Sequence, residues 1–178
     1  MKHILPILTI TTLAAAASAQ TAAAAPAGLS YNRVGLSYDF KAQKGFALEA
    51  SAVVGHNIFV AASSTIGGSG TGNNGADSVA VGYLFSNLFL GTDLTAQIGS
   101  NESYGLNLRR ALGANFEGTL GLAQEHLGHK SHALVWGAEV AYNFNKQYSL
   151  ALGYSRANAT SVVSDTKSQT TVTARYSF

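Results

Sequence analysis

From Leu29 to the last residue, apolar and polar side chains alternate with a period of two along ten successive segments. This alternation predicts β-strands with one apolar face, because successive side chains of a strand point to opposite sides of a sheet. The ten segments are residues 29–40, 45–54, 58–66, 78–85, 88–99, 104–112, 116–127, 133–144, 148–157 and 169–178. Most of them are about as long as the 9–11 residues with which a tilted strand crosses a bilayer.

The connections between the segments differ in length. Tight connections follow the second, fourth, sixth and eighth segments, the fourth being placed at Ser86-Asn87, and longer polar loops such as residues 67–77 follow odd-numbered ones. Short turns at one end and long loops at the other are typical of outer-membrane barrels. The predicted fold class is therefore all-β: a closed antiparallel transmembrane β-barrel of ten strands, with eight strands as the alternative.

The charged residues are few, and they avoid the apolar faces. Asp, Glu, Lys and Arg make up 11 % of the 178 residues, against about 25 % in soluble proteins. On the apolar faces only Arg110 and Arg156 are charged, and both lie near segment ends. Because a charge at a lipid-facing midplane position costs roughly 2–4 kcal/mol, the apolar faces are predicted to contact lipid. A net charge of +2 gives no indication of a nucleic-acid partner.

The opposite faces carry three cations and three anions, each a few residues from the tight-turn end of its segment. They are Arg33, Glu49, Asp93, Arg109, Glu139 and Arg175. A buried charge is tolerated when it is paired and hydrogen-bonded, so these side chains are predicted to form an ion-pair layer inside the barrel. The layer acts as a structural plug or as a selectivity constriction, and the narrow barrel favours the plug. Phe59 and Leu84 break the alternation without an explanation in the sequence.

The N-terminal stretch has the composition of an export signal. Residues 1–19 combine a short basic start, an apolar stretch and small residues at the positions that a signal peptidase reads. This order is that of a secretory signal peptide, and cleavage is expected before Gln20. Residues 20–28 then form a short leader, and residues 29–178 form the barrel domain.

The last strand carries the most specific motif of the chain. The sequence ends TVTARYSF, with Phe178 last and Tyr176 on the same face. This ending resembles the closing strand of Gram-negative outer-membrane proteins, which implies recognition by the barrel assembly machinery. The opening YNRVGLSYDF resembles the first strand of small opacity-like, OmpX-like and quorum-factor-like barrels. These families are commonly eight-stranded, and they imply location in the cell outer membrane, in contact with its lipid and lipopolysaccharide.

One loop region holds residue types that can carry chemistry. His126, His129 and His132 are spaced three apart and form a candidate weak site for Zn or Cu. His129 and Ser131, with Glu139 on the following strand, resemble the Ser, His and acid set of an outer-membrane lipid A deacylase. The Asn-rich context that follows the serine in that enzyme is missing here. The chain is therefore not predicted to be an enzyme, and no cofactor is expected.

Three functions remain open from the sequence. The preferred one is a non-enzymatic barrel with an envelope-structural or surface-interaction role and an ion-paired, largely plugged lumen. The alternative is a narrow porin-like channel for ions or small solutes. The third is a lipid A-modifying outer-membrane enzyme. In each case the protein is expected to be a monomer without a nucleic-acid partner.

Overall fold

The protein is a closed barrel of ten antiparallel strands, as predicted, which excludes the eight-strand alternative. A computed structural model describes residues 29–40, 45–66, 77–100, 102–113, 115–126, 132–158 and 168–178. The strands are β1 (Arg33–Asp39), β2 (Phe46–Val53), β3 (Ile58–Ile66), β4 (Asp77–Phe89), β5 (Thr92–Gly99), β6 (Ser103–Gly113), β7 (Phe116–His126), β8 (His132–Asn143), β9 (Tyr148–Ala157) and β10 (Ser168–Ser177). Each strand pairs with its neighbours in chain order, and β1 pairs with β10 to close the barrel. Among the described residues, no helix is long and apolar enough to span a membrane.

The strand register keeps the alternation of the sequence on two separate surfaces. On the outside, Leu36 of β1 lies opposite Leu48 of β2. On the inside, Gly35 lies opposite Glu49 on one neighbouring strand and Arg175 on the other. A slip of one residue would move every side chain to the other surface, so the alternation itself specifies the register.

The outer surface is an apolar band to which every strand contributes. Its exposed large side chains include Leu36, Phe46, Ile58, Val81, Ile98, Leu106, Leu120, Val140, Leu152 and Tyr176. In water such a surface would be unfavourable, because a soluble protein rarely leaves a large continuous apolar patch exposed. A closed barrel with apolar side chains outside and ionised side chains inside is the arrangement of a transmembrane barrel.

Aromatic side chains surround one end of the barrel. This is the turn end, where the short connections 54–57, 90–91 and 144–147 lie; the opposite end is the loop end. Among the described residues, nine exposed aromatic residues are found there: Tyr83, Phe85, Phe89, Phe116, Tyr142, Phe144, Tyr148, Tyr176 and Phe178. Neighbouring rings are in contact, with centroids 5.2 Å apart for Phe116 and Tyr142. The arrangement is that of the aromatic girdle of a membrane barrel at the headgroup level.

The hairpin between β4 and β5 differs from the prediction. The chain turns at Leu90-Gly91, whose φ angles are 50° and 74°, and not at Ser86-Asn87. Positive φ at both central residues is the geometry of a two-residue turn whose twist fits a β-hairpin. The predicted turn is instead an irregularity in the ladder, with Asn87 at a φ of 54°. Asn adopts this left-handed conformation readily, so the sequence resembled a turn.

Candidate functional site in the barrel lumen

The inner surface holds all six ionisable residues that the sequence placed there, together with one at the level of the ion pairs that it missed, while Asp39 is buried nearer the loop end of β1. Strand parity directs the six side chains inward, and Asp93, Arg109 and Arg175 among them are buried. The additional residue is Glu117 of β7, which is only 3 % exposed. The sequence could have identified it, because Glu117 lies two residues before Thr119 and therefore faces the same side of β7.

Arg175 of β10 and Glu139 of β8 form a bidentate ion pair across the lumen. Arg175 donates from Nη1 to Oε1 of Glu139 over 2.6 Å and from Nη2 to Oε2 over 2.5 Å. Glu49 lies further away, with its Oε2 atom 4.0 Å from Nη2 of Arg175, and accepts a hydrogen bond of 3.1 Å from Ser37 Oγ. Two parallel charge-assisted hydrogen bonds fix both the distance and the orientation of the two side chains.

Arg109 of β6 makes the second bidentate pair, with Glu117. Its Nε donates to Oε1 and its Nη2 to Oε2, the latter over 2.8 Å. The remaining Nη1 donates to the carbonyl oxygen of Ser30 over 2.7 Å. Asp93 is the register partner of Arg109 on β5, but it accepts hydrogen bonds from the Tyr31 hydroxyl and the Asn87 amide instead. Each buried charge in this group therefore has a partner, as burial requires.

Arg33 is the cation with the weakest compensation. The nearest carboxylate oxygen is Oε1 of Glu117, 4.0 Å from Nη1. No hydrogen bond joins its guanidinium to another described side chain, and it shares the wall of one cavity with the cations Arg109 and Arg175. Because those two are already engaged by carboxylates of their own, Arg33 presents a charge to the lumen that lacks a close counter-ion.

The residues before β1 lie inside the barrel, which the sequence did not predict. The first segment was expected to begin a strand at Leu29, but β1 begins at Arg33. We refer to Leu29–Asn32 as the N-terminal segment. Leu29 and Tyr31 are 6 % and 5 % exposed, and they form a buried apolar cluster with Phe59 and Leu84. The two residues that broke the alternation thus have a role: they are inward-facing side chains that pack against this segment.

Polar contacts hold the N-terminal segment against three different strands. The Tyr31 hydroxyl donates to Oδ2 of Asp93 over 2.9 Å, and the Arg109 guanidinium lies 4.6 Å from the centroid of the Tyr31 ring. The backbone amide of Val53 donates to the Asn32 side-chain oxygen over 2.9 Å. These contacts combine a hydrogen bond to a charged group with a cation–π interaction, both strengthened by burial.

The described residues enclose three cavities in the lumen, and Arg33 and Arg175 belong to the walls of all three. The turn-side cavity, of about 360 Å³, has Arg33, Arg109, Arg175 and Lys146 in its wall and only one carboxylate, that of Glu117. The other two lie towards the loop end and measure about 290 and 300 Å³. Glu139 is the carboxylate of the first of these and Glu49 that of the second. The arginines are shared between the walls, so the three walls together hold four cations and three carboxylates, and Asp93 is buried beside them.

The histidine cluster of the sequence is not assembled by the described residues. His126 and His132 are register partners at the end of the β7–β8 hairpin, and His129 lies outside the described residues. The part of the chain that the structure describes contains no group of three or more His, Cys, Asp or Glu placed to hold a metal ion. Ser131 also lies outside the described residues, whereas Glu139 is engaged in the lumen. The metal site therefore stays a prediction.

The C-terminal aromatics lie at the turn end. Tyr176 points outward and packs against Tyr148, with ring centroids 5.3 Å apart. The amide of Phe178 donates to the carbonyl oxygen of Asn32 over 3.0 Å, which ties the end of the chain to the N-terminal segment. Recognition of these residues by the barrel assembly machinery stays a prediction.

Comparison with known proteins identifies the same fold in solved structures. The structure of the KdgM porin has a TM-score of 0.50 and 12 % identity, covering 82 % of this chain and 99 % of that chain. This chain shares the fold of the KdgM porin. The KdgM porin in complex with disordered oligogalacturonate gives the same values. A structure of the NanC porin has a TM-score of 0.42 at 12 % identity, covering 82 % of this chain and 98 % of that chain.

The sequence comparisons add no family. No family model and no curated protein matches the chain. The predicted resemblance to opacity-like, OmpX-like and quorum-factor-like barrels is therefore not confirmed. Eight strands are common in those families, and the ten strands observed here depart from that number.

Proposed function

We propose that the protein is a porin-like barrel of the outer membrane that forms a narrow channel for small anionic solutes. Arg33 carries the proposal, because its guanidinium borders all three cavities and its nearest carboxylate oxygen is 4.0 Å away. A charge inside a cleft that is enclosed by a low-dielectric wall attracts ions of the opposite sign. A solved structure of the KdgM porin, which has the same fold, is a complex with disordered oligogalacturonate, and this supports an anionic solute.

Arg33 is the residue on which selectivity depends in this proposal. It borders all three cavities, and its nearest carboxylate oxygen is 4.0 Å away. An anion that moves between the cavities passes this guanidinium, whereas Arg109 and Arg175 hold carboxylates at hydrogen-bonding distance. In this proposal the two bidentate pairs stabilise the wall of the lumen, and Arg33 attracts the anion.

The location and the partners belong to the same proposal. Removal of residues 1–19 by signal peptidase, followed by insertion through the barrel assembly machinery, would place the apolar band in outer-membrane lipid. The lipopolysaccharide leaflet would surround the loop end, because short turns face the periplasm in barrels of this kind. Nothing in the described lumen requires a second copy of the chain, and we propose a monomer.

Channel recording of the purified protein in planar bilayers tests the proposal. Under a KCl gradient the wild-type channel is expected to give a reversal potential that favours Cl⁻. Arg33→Ala is expected to lower the Cl⁻/K⁺ permeability ratio by about fivefold, the effect of removing one unit charge at close range in water. The matched control is Arg110→Ala, since Arg110 is exposed on the outer surface of β6 and should leave the ratio unchanged.

A structural barrel with a closed lumen is the second candidate. The two buried bidentate pairs and the N-terminal segment favour it, because they occupy much of the space between opposite strands. This candidate predicts no steady conductance for the wild type. Equal selectivity of wild type and Arg33→Ala, or an absence of conductance that persists when the lumen contacts of Leu29 and Tyr31 are removed, would contradict the channel proposal.

A further inference from the structure

We infer that the N-terminal segment, Leu29–Asn32, is a gate that separates the two ends of the lumen and is released to open it. The inference rests on the proposed channel function. Ser30 belongs to the wall of the turn-side cavity, and Tyr31 to the wall of a cavity on the loop side. Two successive residues thus face different cavities, which places the segment at the partition between them.

The segment is held mainly by side-chain contacts, and one backbone hydrogen bond, from the Phe178 amide to the Asn32 carbonyl oxygen, ties it to the end of the chain. The register of β1 with both neighbours begins at Arg33, so residues 29–31 can leave without breaking a pair of the β-ladder. Besides the contacts of Tyr31 with Asp93 and Arg109, the Ser51 hydroxyl donates to the Tyr31 carbonyl oxygen over 2.9 Å. A segment outside the strand ladder can open at a lower free energy than the strands around it, and here opening takes Leu29 and Tyr31 out of their buried cluster.

Release of the segment would change the lumen in two ways. The Tyr31 ring would move away from the Arg109 guanidinium and its hydroxyl from Asp93, which widens the passage at the level of the ion pairs. The Nη1 atom of Arg109 would also lose the Ser30 carbonyl and become available to an anion. The open state is therefore both wider and richer in accessible positive charge than the closed state.

Accessibility of a single engineered cysteine tests the gate without relying on conductance. The chain contains no cysteine, and Thr95 is a buried residue in the wall of the loop-side cavity that contains Tyr31. Thr95→Cys is combined with Leu29→Ala and Tyr31→Ala, and labelling by a charged thiol reagent added from the turn end of the refolded barrel is timed. We expect labelling at least about tenfold faster than in Thr95→Cys alone, because a hydrogen bond to a charged group is lost with the apolar contacts.

Two further variants separate release of the segment from damage to the barrel. Tyr31→Phe removes the hydroxyl and keeps the ring in the cluster, and it should accelerate labelling of Thr95→Cys by an intermediate factor. Tyr104→Ala removes an exposed tyrosine of the outer surface and should leave the rate unchanged. Equal labelling rates in all folded variants, with folding checked by heat-dependent gel mobility, would overturn the gate.

Channel recording of the same variants distinguishes failure of the gate from failure of the proposed function. Faster labelling together with higher conductance in the double alanine variant supports both. Faster labelling without conductance in any variant supports a displaceable segment in a barrel that is not a channel, and it overturns gating. Conductance that is equal in wild type and variants, with equal labelling, overturns the gate and leaves the channel intact.

Discussion

Replacing Arg109 with alanine is expected to lower the free energy of unfolding by about 3–5 kcal/mol, because it leaves a buried carboxylate without its partner. Glu117, which is 3 % exposed, loses both hydrogen bonds of its bidentate pair. The N-terminal segment loses the donor to the Ser30 carbonyl and the cation above the Tyr31 ring. The measurement is the urea midpoint of the barrel refolded into lipid vesicles.

Two controls identify the source of this loss. The double variant Arg109→Leu with Glu117→Leu removes both charges and should recover most of the stability, because an apolar pair of similar volume avoids the desolvation cost. Arg156→Ala removes an exposed arginine from the outer surface near the end of β9 and should change the midpoint little. A loss for Arg109→Ala no larger than that for Arg156→Ala would contradict the assignment of a buried ion pair.

Leu120→Arg is expected to be the most damaging change on the outer surface. Leu120 lies near the middle of β7 and is 60 % exposed, so the substitution would place a guanidinium in the hydrocarbon core. The cost at the midplane is about 2–4 kcal/mol, and it falls to about 0–1 kcal/mol near the interfaces. Leu112→Arg is the matched control, since Leu112 is equally exposed but lies at the turn end of β6.

The yield of heat-modifiable barrel in isolated outer membranes and the urea midpoint in vesicles measure this difference. Leu120→Arg should lower both, and Leu112→Arg should remain close to the wild type. Similar values for the two variants would mean that the depth of a residue on the outer surface does not matter, which is incompatible with a bilayer around the barrel.

The alternation of side chains was sufficient to predict the strands and their surfaces. A period of two fixes which residues share a face of a strand, and the number of alternating segments gives the number of strands. The face that is poor in charge is the one that contacts lipid, so the sequence also shows which face of each strand is turned outward. The hairpin turn at Leu90-Gly91 was missed because Ser86-Asn87 is the stronger turn signal by composition alone. Asn87 does adopt the left-handed φ of a turn residue, but it does so within the β4–β5 ladder, where its amide donates a hydrogen bond to Asp93.

The contents of the lumen were harder to predict than its wall. The alternation along a strand shows whether a side chain points inward. Which other side chain it then pairs with depends on distances across the closed barrel. Arg109 accordingly pairs with Glu117 on β7, and its register partner Asp93 is taken by Tyr31. The N-terminal segment was missed for the same reason, since its binding site does not exist until Phe59, Leu84 and Asp93 are brought together by closure.

The central claim is that lipid surrounds the barrel while the ionised groups lie inside, and adjacent residues of one strand test it most directly. Thr119 lines a loop-side cavity and Leu120 is on the outer surface. Each is changed to cysteine in the otherwise cysteine-free chain, labelled with a small fluorophore, and refolded into vesicles that contain brominated lipid. We expect strong quenching at position 120 and little at position 119; equal quenching, the reverse order, or a processed chain that stays in solution without detergent would contradict it.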